Sequence, residues 1–198
     1  AAGTEDRYSG KVMLNRFIGE NQFTVIGSMN NVNDNGYAGG GGGFRWGGQN
    51  GLTSIKMGGF NFSTQSEKLE TGGSVNYNYK DADIISKQAS ETFVSSATSS
   101  FKNAQNANRN KTTSLTADFR IEWKPDTMTT VIFRPRLTYG KNDNRSAINS
   151  FTFSQDPEHT TDEILSAADN LSSLIPEENI VNTIARNSLQ KGDNFNVG

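Results

Sequence analysis

The chain contains no cysteine and only one histidine, four prolines and two tryptophans in 198 residues. Without cysteine there is no disulfide, no thiolate metal ligand and no thiol nucleophile. His159, with neither a second histidine nor a cysteine to join it, leaves zinc without its usual ligand set. Long apolar runs are also missing: Val12-Met13-Leu14 and Val131-Ile132-Phe133, three residues each, are the longest. A membrane-spanning helix needs about 18 or more, so helical membrane proteins are excluded. Leu and Ala are scarce and no 3.6-residue period recurs, which argues against a helical bundle. Charge of one sign is lacking too. Nineteen Lys and Arg against 21 Asp and Glu leave a net charge of −2, with no global pull toward nucleic acid.

Asn, Ser, Thr and Gly dominate what is present, making up 81 of the 198 residues. Hydrophobic residues reach only 33%, but aromatics reach 10%, with 12 Phe and 5 Tyr. A disordered chain is usually poor in rings and strongly charged, so these rings point to a folded structure.

Alternation with a period of two is the main pattern. In residues 112–124, Thr113, Leu115, Ala117, Phe119, Ile121 and Trp123 share one face, opposite Ser114, Thr116, Asp118, Arg120, Glu122 and Lys124. It returns at Val131, Phe133, Pro135, Leu137 and Tyr139, after a Pro125-Asp126 turn signal. Residues 69–82 alternate likewise through Leu69, Thr71, Gly73, Val75, Tyr77 and Tyr79. Residues 52–64 form their hairpin partner, closed by Gln65-Ser66-Glu67-Lys68. Their apolar phase shifts from Ile55 and Met57 to Phe60 and Phe62, and a bulge at Gly58-Gly59 is the economical expectation. A first hairpin pairs residues 7–18 with 22–33 across Ile18-Gly19-Glu20-Asn21, with Arg16 and Phe17 out of phase at the turn.

The expected hairpins span about 7–33, 52–82 and 112–142, and a seventh strand starts near Leu189. Connections of a few residues alternate strictly with long polar ones at about 34–51, 83–111 and 143–188. Alternating segments of about ten residues, joined by short turns on one side and long loops on the other, characterise an outer-membrane barrel. The expected fold is therefore all-β: a fragment of an antiparallel transmembrane β-barrel, with about six to seven long strands, short periplasmic turns and long extracellular loops. Tyr8, Tyr77, Tyr79 and Tyr139 fall toward the long loops and Phe23 and Trp123 beside the short turns, as two aromatic girdles would. A soluble sandwich also alternates, so a secreted adhesin or carbohydrate-binding module is the competing reading. A non-transporting scaffold barrel is a third.

Several stretches resemble one family: Arg7-Tyr8-Ser9-Gly10-Lys11-Val12, Ile26 to Asn33, Gly36 followed by a glycine-rich loop, Gly58-Gly59-Phe60-Asn61-Phe62, Phe119 to Asp126, and Ile132-Phe133-Arg134-Pro135-Arg136-Leu137. Together they resemble the barrel region of the Bacteroidota TonB-dependent receptor-like outer-membrane β-barrel family, across most of residues 5–142. The resemblance implies nutrient import across the outer membrane. It also implies contact with lipid and with the rest of its own barrel, and an inner-membrane energy-coupling protein and a surface lipoprotein as partners. Both ends read as cut, so residues 1–198 are expected to be an internal piece of a larger barrel, lying outside the plug and energy-coupling segments.

Residue-level chemistry is sparse. Gly39 to Gly48 lacks the Lys-Ser or Lys-Thr of a phosphate loop and reads as a mobile external loop; Tyr37, Arg45 and Trp46 are its ligand-touching candidates. Asp118, Arg120, Glu122, Arg134 and Arg136 share the polar face of one hairpin. Asp118 is expected opposite Arg134 or Arg136, and Glu122 diagonal to Arg134, as a register-fixing ladder or a ligand-guiding strip. Asp156, Glu158, Asp162 and Glu163 surround His159 without the spacing of a calcium loop and read as solvated charge. Thr160-Thr161-Asp162-Glu163 forms a capping box ahead of Ile164, Leu165 and Leu171, and a second helix is expected from Pro176 with Glu177 and Glu178 behind it. Ser95 to Asn110 reads as polar loop, although Ile84, Phe93, Val94 and Phe101 leave room for strands that extend further. No enzymatic activity, cofactor, metal or nucleic-acid partner is expected, and no ligand-binding residues can be assigned.

Overall fold

The structure is a computed structural model that describes residues 7–32, 51–95 and 98–198. It is all-β, with eight strands in one antiparallel sheet. The strands are β1 (Ser9–Ile18), β2 (Asn21–Asn30), β3 (Leu52–Gln65), β4 (Leu69–Ser95), β5 (Thr98–Trp123), β6 (Val131–Phe133), β7 (Arg136–Phe153) and β8 (Ile180–Val197). Their order is β1-β2-β3-β4-β5-β7-β8, with the short β6 also paired to β5. Sequential neighbours pair as in a meander.

Short turns set the register. Ile18 and Asn21 are opposed across a two-residue hairpin loop in which Gly19 has φ 57°, the positive value that the primed hairpin turns require at their first central position. Between β3 and β4, Ser66 N donates to Leu69 O at 2.8 Å, and the Ser66 hydroxyl repeats the contact at 3.1 Å. After β5, the Asp126 carboxylate accepts from the backbone N–H groups of Met128 and Thr129 at 2.8 and 2.7 Å.

Three features depart from the sequence reading. The β2–β3 register runs without a slip from Gln22↔Ser63 to Asn30↔Ile55, straight through Gly27↔Gly58 and Ile26↔Gly59, so this ladder contains no bulge at Gly58-Gly59. Ile55 and Met57 instead stand half-buried on the polar face, opposite Asn30 and Ser28. Secondly, the strand expected through Pro135 is broken, with β6 ending at Phe133 and β7 starting at Arg136. Proline has no N–H for the ladder and restricts the residue before it, yet the Pro135 carbonyl still accepts from Phe119 N at 3.0 Å. Thirdly, most of 83–111 and parts of 143–188 are strand rather than loop: β4 and β5 run for 27 and 26 residues, β7 continues to Phe153, and β8 starts at Ile180 rather than near Leu189. The stretch 34–50 lies outside the described residues.

The chain divides into two compact units, Ala1–Ala82 with Asn110–Asp143 and Lys191–Gly198, and Asp83–Arg109 with Asn144–Gln190. Neighbouring strands of the first unit bring an apolar row together. Val12 faces Gly27 and Leu14 faces Val25 on β1–β2; Phe23 faces Phe62 and Val25 faces Phe60 on β2–β3.

The second unit carries the apolar core. Phe151 and Phe153 of β7 are buried with Ile164, Leu171 and Ile175, and Phe101, Leu165 and Leu174 pack around them. Ile164 and Leu165 come from α1 (Thr161–Ser166) and Leu171 from a 3₁₀ segment at 168–173, which Leu174 and Ile175 follow. The expected capping box is present: Thr160 Oγ1 accepts from Glu163 N, and the Glu163 carboxylate accepts from Thr160 N at 2.9 Å. Pro176 precedes only a single 3₁₀ turn, Glu177–Asn179, and stands at its N-cap rather than inside a second α-helix.

Candidate functional site

The site with a distinct physical character is the polar face of the first unit. On β2, Thr24, Ser28 and Asn30 are 7%, 5% and 0% exposed, whereas the intervening Phe23, Val25 and Met29 are 37%, 43% and 53% exposed. At the short-turn end of β5, Glu122 is 9% exposed between Ile121 at 39% and Trp123 at 50%. A water-soluble sheet covers its apolar row and wets its polar one. Here the order is reversed.

Charge along β5 is held in place. Asp118 meets Arg136 at 3.2 Å across the strands, as its position on the hairpin predicts. Glu122 is not held by Arg134. It is bridged by Arg120 and by Lys124, the latter at 3.0 Å, residues two positions either side on the same strand face. The break at Arg134-Pro135 removes Arg134 from the regular ladder, so intrastrand partners take the carboxylate.

Rings and charges close the far end of the apolar row. Tyr8 donates its backbone N–H to Asn31 Oδ1 at 2.7 Å, and its hydroxyl lies 3.2 Å from Ser54 Oγ. The Lys56 ammonium sits 5.7 Å from the Tyr79 ring centroid. Immediately beyond Tyr79 on its row, Asp81 pairs with Lys111 at 3.5 Å, and Asp143 pairs with Lys191 at 3.8 Å beyond Tyr139.

The other sequence candidates fare unevenly. Tyr37, Arg45, Trp46 and the glycine run lie outside the described residues. His159 Nδ1 is 3.8 Å from a Glu163 carboxylate oxygen that is already engaged by Thr160. Asp156 accepts from Glu158 N at 3.0 Å, while Asp162 pairs with Lys87. The carboxylates of Asp156, Asp162 and Glu163 thus turn to separate partners, and among the described residues no group of three or more His, Asp or Glu side chains is placed to hold a metal ion. The Glu163 carboxyl is held below its ordinary pKa by the Thr160 N–H and hydroxyl. Asp126 is lowered by the N–H of Met128 and the hydroxyl and N–H of Thr129. Both act as caps of local structure, and the hydrogen bonds they accept favour the ionised form.

The buried row Thr24, Ser28 and Asn30 was not singled out from sequence. Its signal is the polar half of the alternation, easily passed over as solvent-facing. Comparison with known protein families, curated proteins and solved structures finds no match to this chain.

Proposed function

We propose that the chain is part of the wall and extracellular segments of an outer-membrane β-barrel that imports a nutrient, TonB-dependent by its family resemblance, with its apolar rows facing lipid and its polar rows facing a wet lumen. The observation that carries this reading is the inverted burial on β2 and at the Glu122 end of β5, with Thr24, Ser28, Asn30 and Glu122 covered and Phe23, Val25, Met29 and Trp123 exposed. Dimensions support it. The row from Leu69 to Tyr79 advances about 33 Å along the strand, or about 25 Å perpendicular to the membrane at the tilt of barrel strands, and Asp81–Lys111 then follows. The glycine- and asparagine-rich composition is consistent with lumen and external segments. Contacts with an energy-coupling protein and a surface lipoprotein belong to the resemblance, and the reading assigns no catalysis to these residues.

Quenching of Trp123 by brominated acyl chains tests the orientation, using the full-length protein in liposomes with every other tryptophan, Trp46 included, replaced by Phe. Strong quenching is expected. Trp123 emission indifferent to bromolipid, in a protein that stays in the aqueous phase, would instead support the soluble adhesin reading. Import is a separate question, answered by uptake with and without the energy-coupling protein. A membrane-inserted protein with no uptake would be a scaffold barrel.

A further inference from the structure

A cation stands on the exposed apolar face of the first unit. Lys56 of β3 is exposed, opposite Met29 of β2. Its ammonium lies 5.7 Å from the Tyr79 ring centroid, and no ion pair among the described residues engages it. Two residues before it on the same side of β3, the Ser54 hydroxyl lies 3.2 Å from that of Tyr8. Two residues after it, Gly58 pairs with Gly27, and a Cβ at Gly58 would meet nothing within 4 Å. Val12, Val25, Met29 and Phe60, all exposed, border this hollow.

We propose that this patch seats one phosphate-bearing membrane lipid, its phosphate against Lys56 and an acyl chain along the hollow at Gly58. The proposal rests on the lipid-facing reading of this side of the sheet. Charge complementarity selects the headgroup. An ammonium among lipid-facing side chains is costly near the bilayer centre and tolerated near its surface, where a phosphate supplies the opposite charge. Lysine meets phosphate as a point charge, and the Tyr79 ring holds that charge in place. Whichever of the Tyr8 and Ser54 hydroxyls donates to the other, the acceptor keeps its own proton for a phosphate or ester oxygen. Position selects an amphiphile over a free anion. From Lys56 through Gly58 and Phe60 to Phe62 the row advances about 20 Å along the strand, or about 15 Å along the membrane normal at the tilt of barrel strands, half of the hydrocarbon core. The cation therefore falls at the headgroups of one leaflet, with that leaflet's apolar depth below it.

Native mass spectrometry of the full-length protein in detergent, offered equal amounts of dioleoyl phosphatidic acid and dioleoyl phosphatidylcholine, tests the site. The acyl chains are identical, and the choline masks the phosphate in one of them. The first lipid retained should be phosphatidic acid, favoured about fivefold or more. Lys56→Gln should bring that ratio near unity, and Lys56→Arg should keep it. Lys11→Gln, the same charge change on the opposite face of the β1–β2 hairpin, should also keep it. Gly58→Leu fills the hollow and should lower retention of both lipids about fivefold. Equal retention of the two lipids by the unaltered protein, or a Lys56→Gln variant that keeps the preference, overturns the proposal. Unchanged retention in Gly58→Leu overturns the acyl seat. Quenching of Trp123 by bromolipid separates the two levels of failure: a quenched protein without the preference loses only this site, whereas an unquenched one loses the lipid-facing reading as well.

Discussion

The rings of Phe62 on β3 and Phe119 on β5 approach to 6.3 Å between centroids although a whole strand runs between them. Strands two apart in a sheet are separated by about 9.6 Å, so the rings must lean together over the strand between. Gly73 of β4 makes this geometry available. A Cβ there would lie 2.5 Å from Phe119 Cδ1, 2.9 Å from Phe62 Cε1 and 2.9 Å from the Asp118 carbonyl oxygen. Phe60 stacks on Phe62 at 5.9 Å and extends the ring patch.

Gly73→Ala is therefore expected to destabilise the protein by about 1–3 kcal/mol, because one of the obstructing atoms is backbone and cannot rotate away. Gly58→Ala is the control. Nothing lies within 4 Å of a Cβ at that position, so its change should stay within about 0.5 kcal/mol. Urea unfolding of the two variants in the same detergent compares them directly. Equal midpoints would mean that the ring pair does not depend on the glycine.

The Asp118–Arg136 pair should contribute little to stability. Its side chains are 46% and 65% exposed, and exposed pairs couple by about 0.2–1 kcal/mol. A double-mutant cycle through Asp118→Asn and Arg136→Gln should return a coupling in that range that shrinks as salt rises. A coupling above about 2 kcal/mol would show a much drier polar face than the exposures imply.

Ile164 is fully buried against Phe151 and Phe153. Ile164→Ala should cost about 2–5 kcal/mol through lost transfer energy and the cavity left behind. Thr160→Ala should cost about 1 kcal/mol through loss of the cap. Hydrogen exchange across 151–175 is the readout, and the two variants should rank in that order. The anchors of the cap, Thr161 Oγ1 to Asn103 Oδ1 at 2.7 Å and Lys87 to Asp162, leave it attached when only the N-cap is removed.

Acid should loosen the same segment. The Glu163 pKa is lowered in the folded state by the Thr160 N–H and hydroxyl. The stabilisation is thus present above the unfolded value of about 4.3 and is lost as pH falls through the depressed folded value. Protection of the Thr160 amide should fall in that window below about pH 4.3. Glu163→Gln keeps an acceptor without a titrating proton and should flatten the profile. An unchanged profile in this variant would assign the transition to another group.

Much of the strand plan was legible because alternation and turn chemistry are local. Phe119, Ile121 and Trp123 against Asp118, Arg120 and Glu122 need no tertiary information to be read as two faces. The capping box at Thr160 and Glu163 is equally local. The strand extensions were harder to read, since 102–110 is Asn-rich and carries no apolar row. Backbone ladders hold such residues in a sheet without requiring side-chain periodicity. The phase shift between Ile55 and Phe60 misled because it resembled a bulge. Pairing with β2 instead keeps register and accepts two apolar side chains on the polar face.

The amino-acid order by itself determined that this protein lacks disulfide and thiolate chemistry, builds hairpins with short turns and separates each strand into a polar and an apolar side. Alternation is symmetric, however: the same string describes a sheet with its apolar side hidden or displayed. Only the tertiary structure decided between them, because burial depends on which rows neighbouring strands and segments cover. In the first unit that cover falls on Thr24, Ser28, Asn30 and Glu122, and Phe23, Val25, Met29 and Trp123 are left outside.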